Sequence, residues 1–319
     1  MRTMLSAKSV IALLLILIGA GGLVLHAQWQ KVRPVDRQSA VGDVSELDPE
    51  MRAAVSFLDD FELKRAPGQR DWLASHHEPG QSYGQYLRSG ANVPKKGKDT
   101  LYILPLGTFG LGSSPKLSQL ASYTEAYFHP MKVRVLPAVA LNDVEAQTRE
   151  RSFGTQLHSE DTLKWLEGKL PSDAYAMLAV TMVDLYPRES WNYVFGQASL
   201  KERVGVFSFA RYSGGVGGGG EKVPKELALE RSVKVLTHEF GHMFGVLHCI
   251  YYQCNMNGSN HLGEVDVSPL QACPVCLRKF HHACGFSAKT RYRKLLEFCE
   301  AQGLEDGAKF YKSRLEKMP

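Results

Sequence analysis

Two hydrophobic periods alternate along the chain after about residue 100. The runs Leu101–Leu106 and Ala174–Val183 are apolar at nearly every position and of strand length, and both predict strands. Further strands are predicted at Met131–Leu136, Trp191–Ala198 and Arg203–Phe209, and helices at about Leu117–Phe128 and Ser159–Leu170. Strands that alternate with helices imply parallel pairing, and the short link between the last two strands implies one antiparallel edge. The pattern therefore predicts an α/β fold around a five-stranded mixed sheet with an antiparallel edge strand. Upstream, Asp48-Pro49 reads as a cap and first helical position for a helix to about Lys64, with Met51, Val55, Phe57 and Leu58 as its stripe. Residues 28–44 are polar and predict a tether, whereas 68–98, rich in Gly, Ser, Pro and charge, predict a loop. Downstream, Lys289–Gln302 and Leu304–Lys317 have the period of amphipathic helices and predict a small, mainly helical lower lobe.

The first apolar run, Val10–Leu25, is long for a signal peptide and short for a spanning helix. Cleavage near Gly19-Ala20-Gly21 would leave Leu23–Leu25 on the mature chain, and Trp29 with the basic residues after it suits an interface. The run predicts export, either as a membrane anchor or as a secreted protein. A cytoplasmic-facing anchor is the alternative and suits reduced thiols.

The composition fits one sizeable core: 319 residues, 44% hydrophobic. The net charge of +5 lies late, since Leu277–Pro319 holds ten Lys and Arg against five Asp and Glu. A solvated helix face accounts for that balance, so no nucleic-acid partner is expected, and a monomer is. The run Ser213–Gly220 reads as a flexible connector or a flap entering the next helix.

That helix carries HEFGHMFGVLH, residues 238–248. His238 and His242 are four apart and share a helical face, so both imidazoles can reach one ion. Gly245 can adopt positive φ and end the helix, which returns the chain to deliver His248 as a third ligand. Three ligands leave a position open, and Glu239, beside the first of them, is placed to act as general base on a water there. Met256 follows with Asn257-Gly258 turn chemistry beside it.

Cys249, Cys254, Cys273 and Cys276 fall as C-x4-C and C-x2-C, a spacing that suits a closed, structural zinc. Two disulfides, or a thioredoxin-like pair at Cys273 and Cys276, are the competing readings. Because a redox CxxC opens a helix, the prediction that a helix begins at Ser268-Pro269 favours zinc. Cys284 and Cys299 have no partner by spacing. Asp184 and Asp266 are candidates to orient a ligand imidazole, and the remaining histidines carry no ligand spacing.

Together HEFGHMFGVLHC, Cys254-Asn255-Met256, Cys273-Pro274-Val275-Cys276 and the strand Arg203–Arg211 resemble the archaemetzincins, a branch of the metzincin metalloproteases. The resemblance spans roughly residues 100–285. It implies a metzincin-like fold and a zinc peptidase acting on peptide or protein substrates. Two zinc ions are implied per chain: a catalytic one at His238, His242 and His248 with Glu239 as base and Met256 beneath, and a structural one at the four cysteines. Some metzincins carry a tyrosine two residues after the methionine, where this chain has Gly258. The expected organisation is a leader (1–27), an N-terminal extension with one helix (28–99), a catalytic domain (100–286) and C-terminal helices (287–319). A silent peptide-binding scaffold that keeps the zinc sites is the alternative function. The presence of Glu239 speaks against it, because binding alone requires no base.

Overall fold

The computed structural model describes residues 34–109, 115–212 and 223–319. The leader run Val10–Leu25 and the glycine run from Ser213 lie outside them. No helix among the described residues is long and apolar enough to cross a membrane.

The described residues open with four short helices: α1 (Pro34–Val41), α2 (Pro49–Val55), α3 (Trp72–Ser75) and α4 (Tyr83–Arg88). An alternation follows of β1 (Thr100–Leu106), α5 (Leu117–Tyr127), β2 (Lys132–Val135), β3 (Thr148–Arg151), β4 (Gly154–His158), α6 (Ser159–Leu166), β5 (Ala174–Thr181), β6 (Asp184–Tyr186), β7 (Gly196–Ser199) and β8 (Val204–Ser208). The rest is helical: α7 (Lys225–Met243), α8 (Leu262–Val267), α9 (Pro274–Cys284), α10 (Ala288–Gln302) and α11 (Glu305–Glu316).

The main sheet has the order β2-β1-β5-β8-β7, parallel except for β7, which runs antiparallel to β8 at the edge. Side chains alternate across its two central strands. Leu101, Ile103, Ala176, Leu178 and Val180 enter the larger core beneath, while Tyr102, Leu104, Leu106, Met177 and Ala179 enter a smaller one above, closed by Leu163 and Leu166 of α6. Burial on both faces is what made these strands read as unbroken apolar runs. The larger core holds α7, every residue of which from Arg231 to Met243 is buried.

Several local expectations are corrected. Where the polar composition of 28–44 predicts a tether, Pro34–Val41 forms α1, with Ala40 and Val41 buried. Val35, Ala40 and Val41, three apolar residues in eight, are too few to register as a stripe. The helix is held instead by Arg278 of α9, which donates to the Val41 carbonyl at 2.6 Å, and by its own Arg37, which donates to the Tyr251 carbonyl at 3.3 Å. The helix opened by Asp48 ends at Val55, because Phe57 turns left-handed at φ 53° and a 3₁₀ turn follows. The predicted edge strand Trp191–Ala198 contracts to Gly196–Ser199. A second sheet, β3-β4-β6, was not predicted, since the charged hairpin Thr148–His158 has too little apolar alternation to show itself. Finally, α9 starts at Pro274 with Cys273 as its cap, not at Ser268-Pro269. The CxxC does open a helix, so the argument from helix position against a redox pair fails; the sulfur geometry has to decide.

Candidate metal centre

Residues 238 and 242 are one turn apart near the end of α7, and both are buried. The helix stops at Met243. Gly245 takes φ +79°, its N–H bonds the His242 carbonyl at 2.8 Å, and the chain reverses to bring back His248, as the spacing predicted. Gly241 supplies the other close approach, since a Cβ there would lie 2.6 Å from the Met256 sulfur. The missing side chain lets the fully buried Met256 sit against the helix one residue before His242. A backbone bond from the Cys249 N–H to the Met256 carbonyl, 2.7 Å, ties this turn to the residue after His248.

The three imidazoles converge, with one ring nitrogen of each within 4.8 Å of the others. His238 Nδ1 lies 2.7 Å from the Asn255 carbonyl and His242 Nδ1 lies 2.7 Å from the Val246 carbonyl. A carbonyl only accepts, so each Nδ1 carries the proton and each Nε2 presents a lone pair. Those two Nε2 atoms face one another at 2.8 Å, and His248 Nε2 is buried with no partner among the described residues. Burial holds His238 down to about 3, and burial with the neighbouring rings holds His242 well below its ordinary value, so both stay neutral. Lone pairs pressed together in a buried space, with no proton to share, fit a cation. Two nitrogens on tetrahedral zinc stand ~3.3 Å apart, a few tenths of an ångström wider than this pair.

His248 differs from the other two in what holds it. Its Nδ1 lies 2.9 Å from Glu78 Oε1, and that oxygen also accepts from Trp72 Nε1 at 2.8 Å. The Trp72 ring stands edge-on to His248, 5.1 Å between centroids, and fills the space beside Gly258, where a Cβ would lie 2.6 Å from the indole. Neither Glu78 nor Trp72 was singled out from the sequence. They lie about 170 residues upstream in a stretch that reads as loop, and no spacing links them to the histidines. The candidates Asp184 and Asp266 orient no ligand; they pair with Arg211 and Arg231, each through a 2.7 Å bond.

Glu239, His238 and His248 open on one recess, whose walls include Phe195, Tyr212, Val235 and Val265. Burial alone pushes the Glu239 carboxyl up to about 8.

The four cysteines form a second centre one peptide bond away. All four are buried and unbridged, and their sulfurs lie within 4.8 Å of one another. Cys249 and Cys273 stand 3.5 Å apart, near the ~3.8 Å that two sulfurs take on tetrahedral zinc. The Met256 and Cys273 N–H groups donate to Cys254 Sγ at 3.4 and 3.2 Å. Burial opposes ionisation of Cys249, yet bonds from the other three sulfurs hold its thiol well below the ordinary range. Burial and the bond to Cys249 push Cys273 well above it, and that bond together with burial does the same to Cys276. Four buried sulfurs drawn together in this way fit a metal that would bind all of them as thiolates. A third cluster, Asp71, His261 and Glu264, is closed by its own bonds: His261 to Asp71 at 3.0 Å, and the Trp72 and Asn260 N–H groups to Glu264.

A buried helix offering two histidines, a glycine turn returning a third, and a carboxylate on the same recess define the zinc-metallopeptidase class. Comparison with known proteins agrees. The model of peptidase family M54 matches residues 157–282. Archaemetzincin-2 of Homo sapiens is 38% identical over 259 residues, covering 72% of this chain and 72% of that protein. Archaemetzincin-2 of Mus musculus is 36% identical over 285 residues, covering 80% of this chain and 79% of that protein. The crystal structure of archaemetzincin from Methanopyrus kandleri superposes with a TM-score of 0.46 at 28% identity, covering 61% of this chain and all of that one. The chain belongs to the archaemetzincin family of zinc metallopeptidases.

Proposed function

We propose that His238, His242 and His248 hold the catalytic zinc, that Glu239 is the general base for peptide-bond hydrolysis, and that Cys249, Cys254, Cys273 and Cys276 hold a second, structural zinc. The observation that carries this reading is the set of three Nε2 atoms converging without protons, with Glu239 on the recess that His238 and His248 also line. Held by those three histidines, zinc would supply Lewis acidity toward a peptide carbonyl and lower the pKa of a water towards ~7. Glu239 takes the proton of the attacking water and passes it to the departing amine nitrogen. A positive charge at the histidines opposes the upward pull of burial on Glu239 and favours the carboxylate that a base must be. Tyr212 and Phe195 wall the recess against water and receive an apolar side chain. The edge strand β7 follows directly from Phe195, so an extended peptide adds to the sheet there by backbone bonds.

Glu239→Gln tests the reading. The variant keeps two zinc atoms per chain by elemental analysis and loses peptide hydrolysis by several orders of magnitude, because the base is gone while the ligands stay. Near wild-type turnover in Glu239→Gln excludes the mechanism. A wild-type protein that binds one zinc or none removes the corresponding centre.

A further inference from the structure

Two of the three converging imidazoles are held by the peptide backbone near them in sequence: His238 by Asn255, His242 by Val246. The third is held from far away and by a charge. Glu78 places Oε1 2.9 Å from His248 Nδ1, and its side chain is 20% exposed against 5% for the histidine. Glu78 is itself fixed, because the Trp72 indole N–H donates to the same oxygen at 2.8 Å. Trp72 is only 6% exposed, stacks on His76 at 3.6 Å and donates its backbone N–H to Glu264 at 3.0 Å, so the donor cannot drift.

The segment that follows Glu78 grips the turn that carries His248. Gln81 uses both ends of its amide, donating to the Gly245 carbonyl at 3.1 Å and accepting from the Leu247 N–H at 3.2 Å. Tyr86, fully buried, donates to the Phe244 carbonyl at 3.0 Å. Ala91 packs where a Cβ on Gly245 would fall. Residues 244–248 are thus secured by four residues of the segment 78–91, Glu78, Gln81, Tyr86 and Ala91. All of that strap lies upstream of the stretch, 157–282, that the peptidase family model matches.

We propose that Glu78 is a positioning residue for the catalytic zinc, acting through His248, with Trp72 as its anchor and the strap 78–91 as its mounting. The inference rests on the reading that the three histidines hold zinc. Glu78 fixes the Nδ1–H tautomer of His248, aims Nε2 at the other two nitrogens, and lends negative charge that makes this imidazole the strongest donor of the three. Carbonyl partners give the first two effects alone. A carboxylate adds the third.

Cobalt(II) titration of the full-length, metal-free protein reads the centres separately, because the cysteine centre gives intense thiolate-to-metal charge-transfer absorption and the histidine centre does not. Glu78→Ala is expected to weaken metal at the histidine centre by about 10–100-fold, the usual effect of losing such a partner. Glu78→Gln, which keeps the shape and an acceptor but drops the charge, weakens it less, by about 10-fold. Trp72→Phe, which removes the N–H and keeps a ring, has the smallest effect. In all three the thiolate absorption is unchanged. A role in folding alone would lower the melting temperature of the metal-free protein and leave cobalt affinity at the histidines as in the wild type, and that result overturns the proposal. If Glu78→Ala does not fold, Glu78→Gln decides: wild-type affinity there rejects the carboxylate's role. A wild-type protein that takes up no metal at the histidines rejects the zinc reading itself, and the role of Glu78 with it.

Discussion

The histidine and cysteine centres share a backbone, with His248 and Cys249 adjacent, yet they are built to opposite plans. On the proposed reading the cysteines would supply four buried ligands and close a coordination sphere from inside the core. The histidines would supply three, of which His238 and His248 line a recess, and each ring is aimed by a group outside the trio. Number of ligands and access to solvent, rather than place in the chain, would then separate the centre proposed for chemistry from the one proposed to hold the fold together.

The comparison breaks most severely at the cysteines. Cys276→Ser removes a ligand from a centre whose apparent zinc affinity contributes on the order of 10 kcal/mol to folding in small zinc domains. Loss of soluble, cooperatively melting protein is expected, as monitored by circular dichroism. A variant that melts within a few degrees of the wild type would show that the sulfurs contribute little to the fold.

His242→Ala is the counterpart at the open centre. Turnover is expected to fall by several orders of magnitude and zinc content from two atoms per chain to one, while the far-ultraviolet spectrum is kept. Melting of the metal-free protein changes by ~2 kcal/mol or less, since a buried ring is lost but no structural metal. Collapse of the fold in this variant would erase the distinction between the centres.

Gly245→Ala probes the turn between them. The left-handed φ of +79° and the 3.0 Å approach to Ala91 both resist a side chain, so a loss of roughly 1–2 kcal/mol is expected on chemical denaturation. His248 shifts with the turn, and kcat/KM should fall more than stability alone explains. Equal activity per folded molecule would show that the turn tolerates displacement.

The smallest effect is reserved for a site that touches neither centre. Asp60 is bound by Arg314 and by Lys317 at 2.6 Å. Burial pushes its carboxyl up, but those bonds prevail and hold it below its ordinary 3.8. Between the folded and unfolded values the unfolded chain binds more protons, so the contribution is present above about pH 4 and is lost as pH falls through the folded value. Asp60→Asn should therefore cost about 1 kcal/mol at pH 7 and progressively less near pH 3, with both zinc atoms retained at neutral pH. A difference from the wild type that did not shrink in acid would assign the effect to packing.

What could be read from the sequence follows from range. The pairing of His238 with His242, the turn at Gly245 and the return of His248 involve neighbours within eleven residues, where helix geometry fixes the outcome. The central strands were legible because burial on both faces leaves an unbroken apolar run, as at Leu101–Leu106. Glu78 and Trp72 were not, since a single carboxylate and a single indole in a segment without periodicity carry no sign of the histidine they meet. The hairpin at Thr148–His158 was hidden by its charges. The start of α9 was misplaced because Pro269 and Pro274 both stand where a helix can open, and only the cap at Cys273 distinguishes them.

The indole lying against Gly258 ties two distant positions into one mutational unit. Room beside the third histidine accommodates a single large ring, and here the N-terminal segment provides it, with 2.6 Å separating the indole from any Cβ at 258. A sequence that acquires bulk at 258 must give it up at 72, so the change at 258 is not accessible alone. Residues 72 and 258 are expected to be interchangeable only as a pair: the double exchange of Trp72→Gly with Gly258→Tyr should be tolerated better than Gly258→Tyr by itself, a sign of epistasis written by volume rather than by charge.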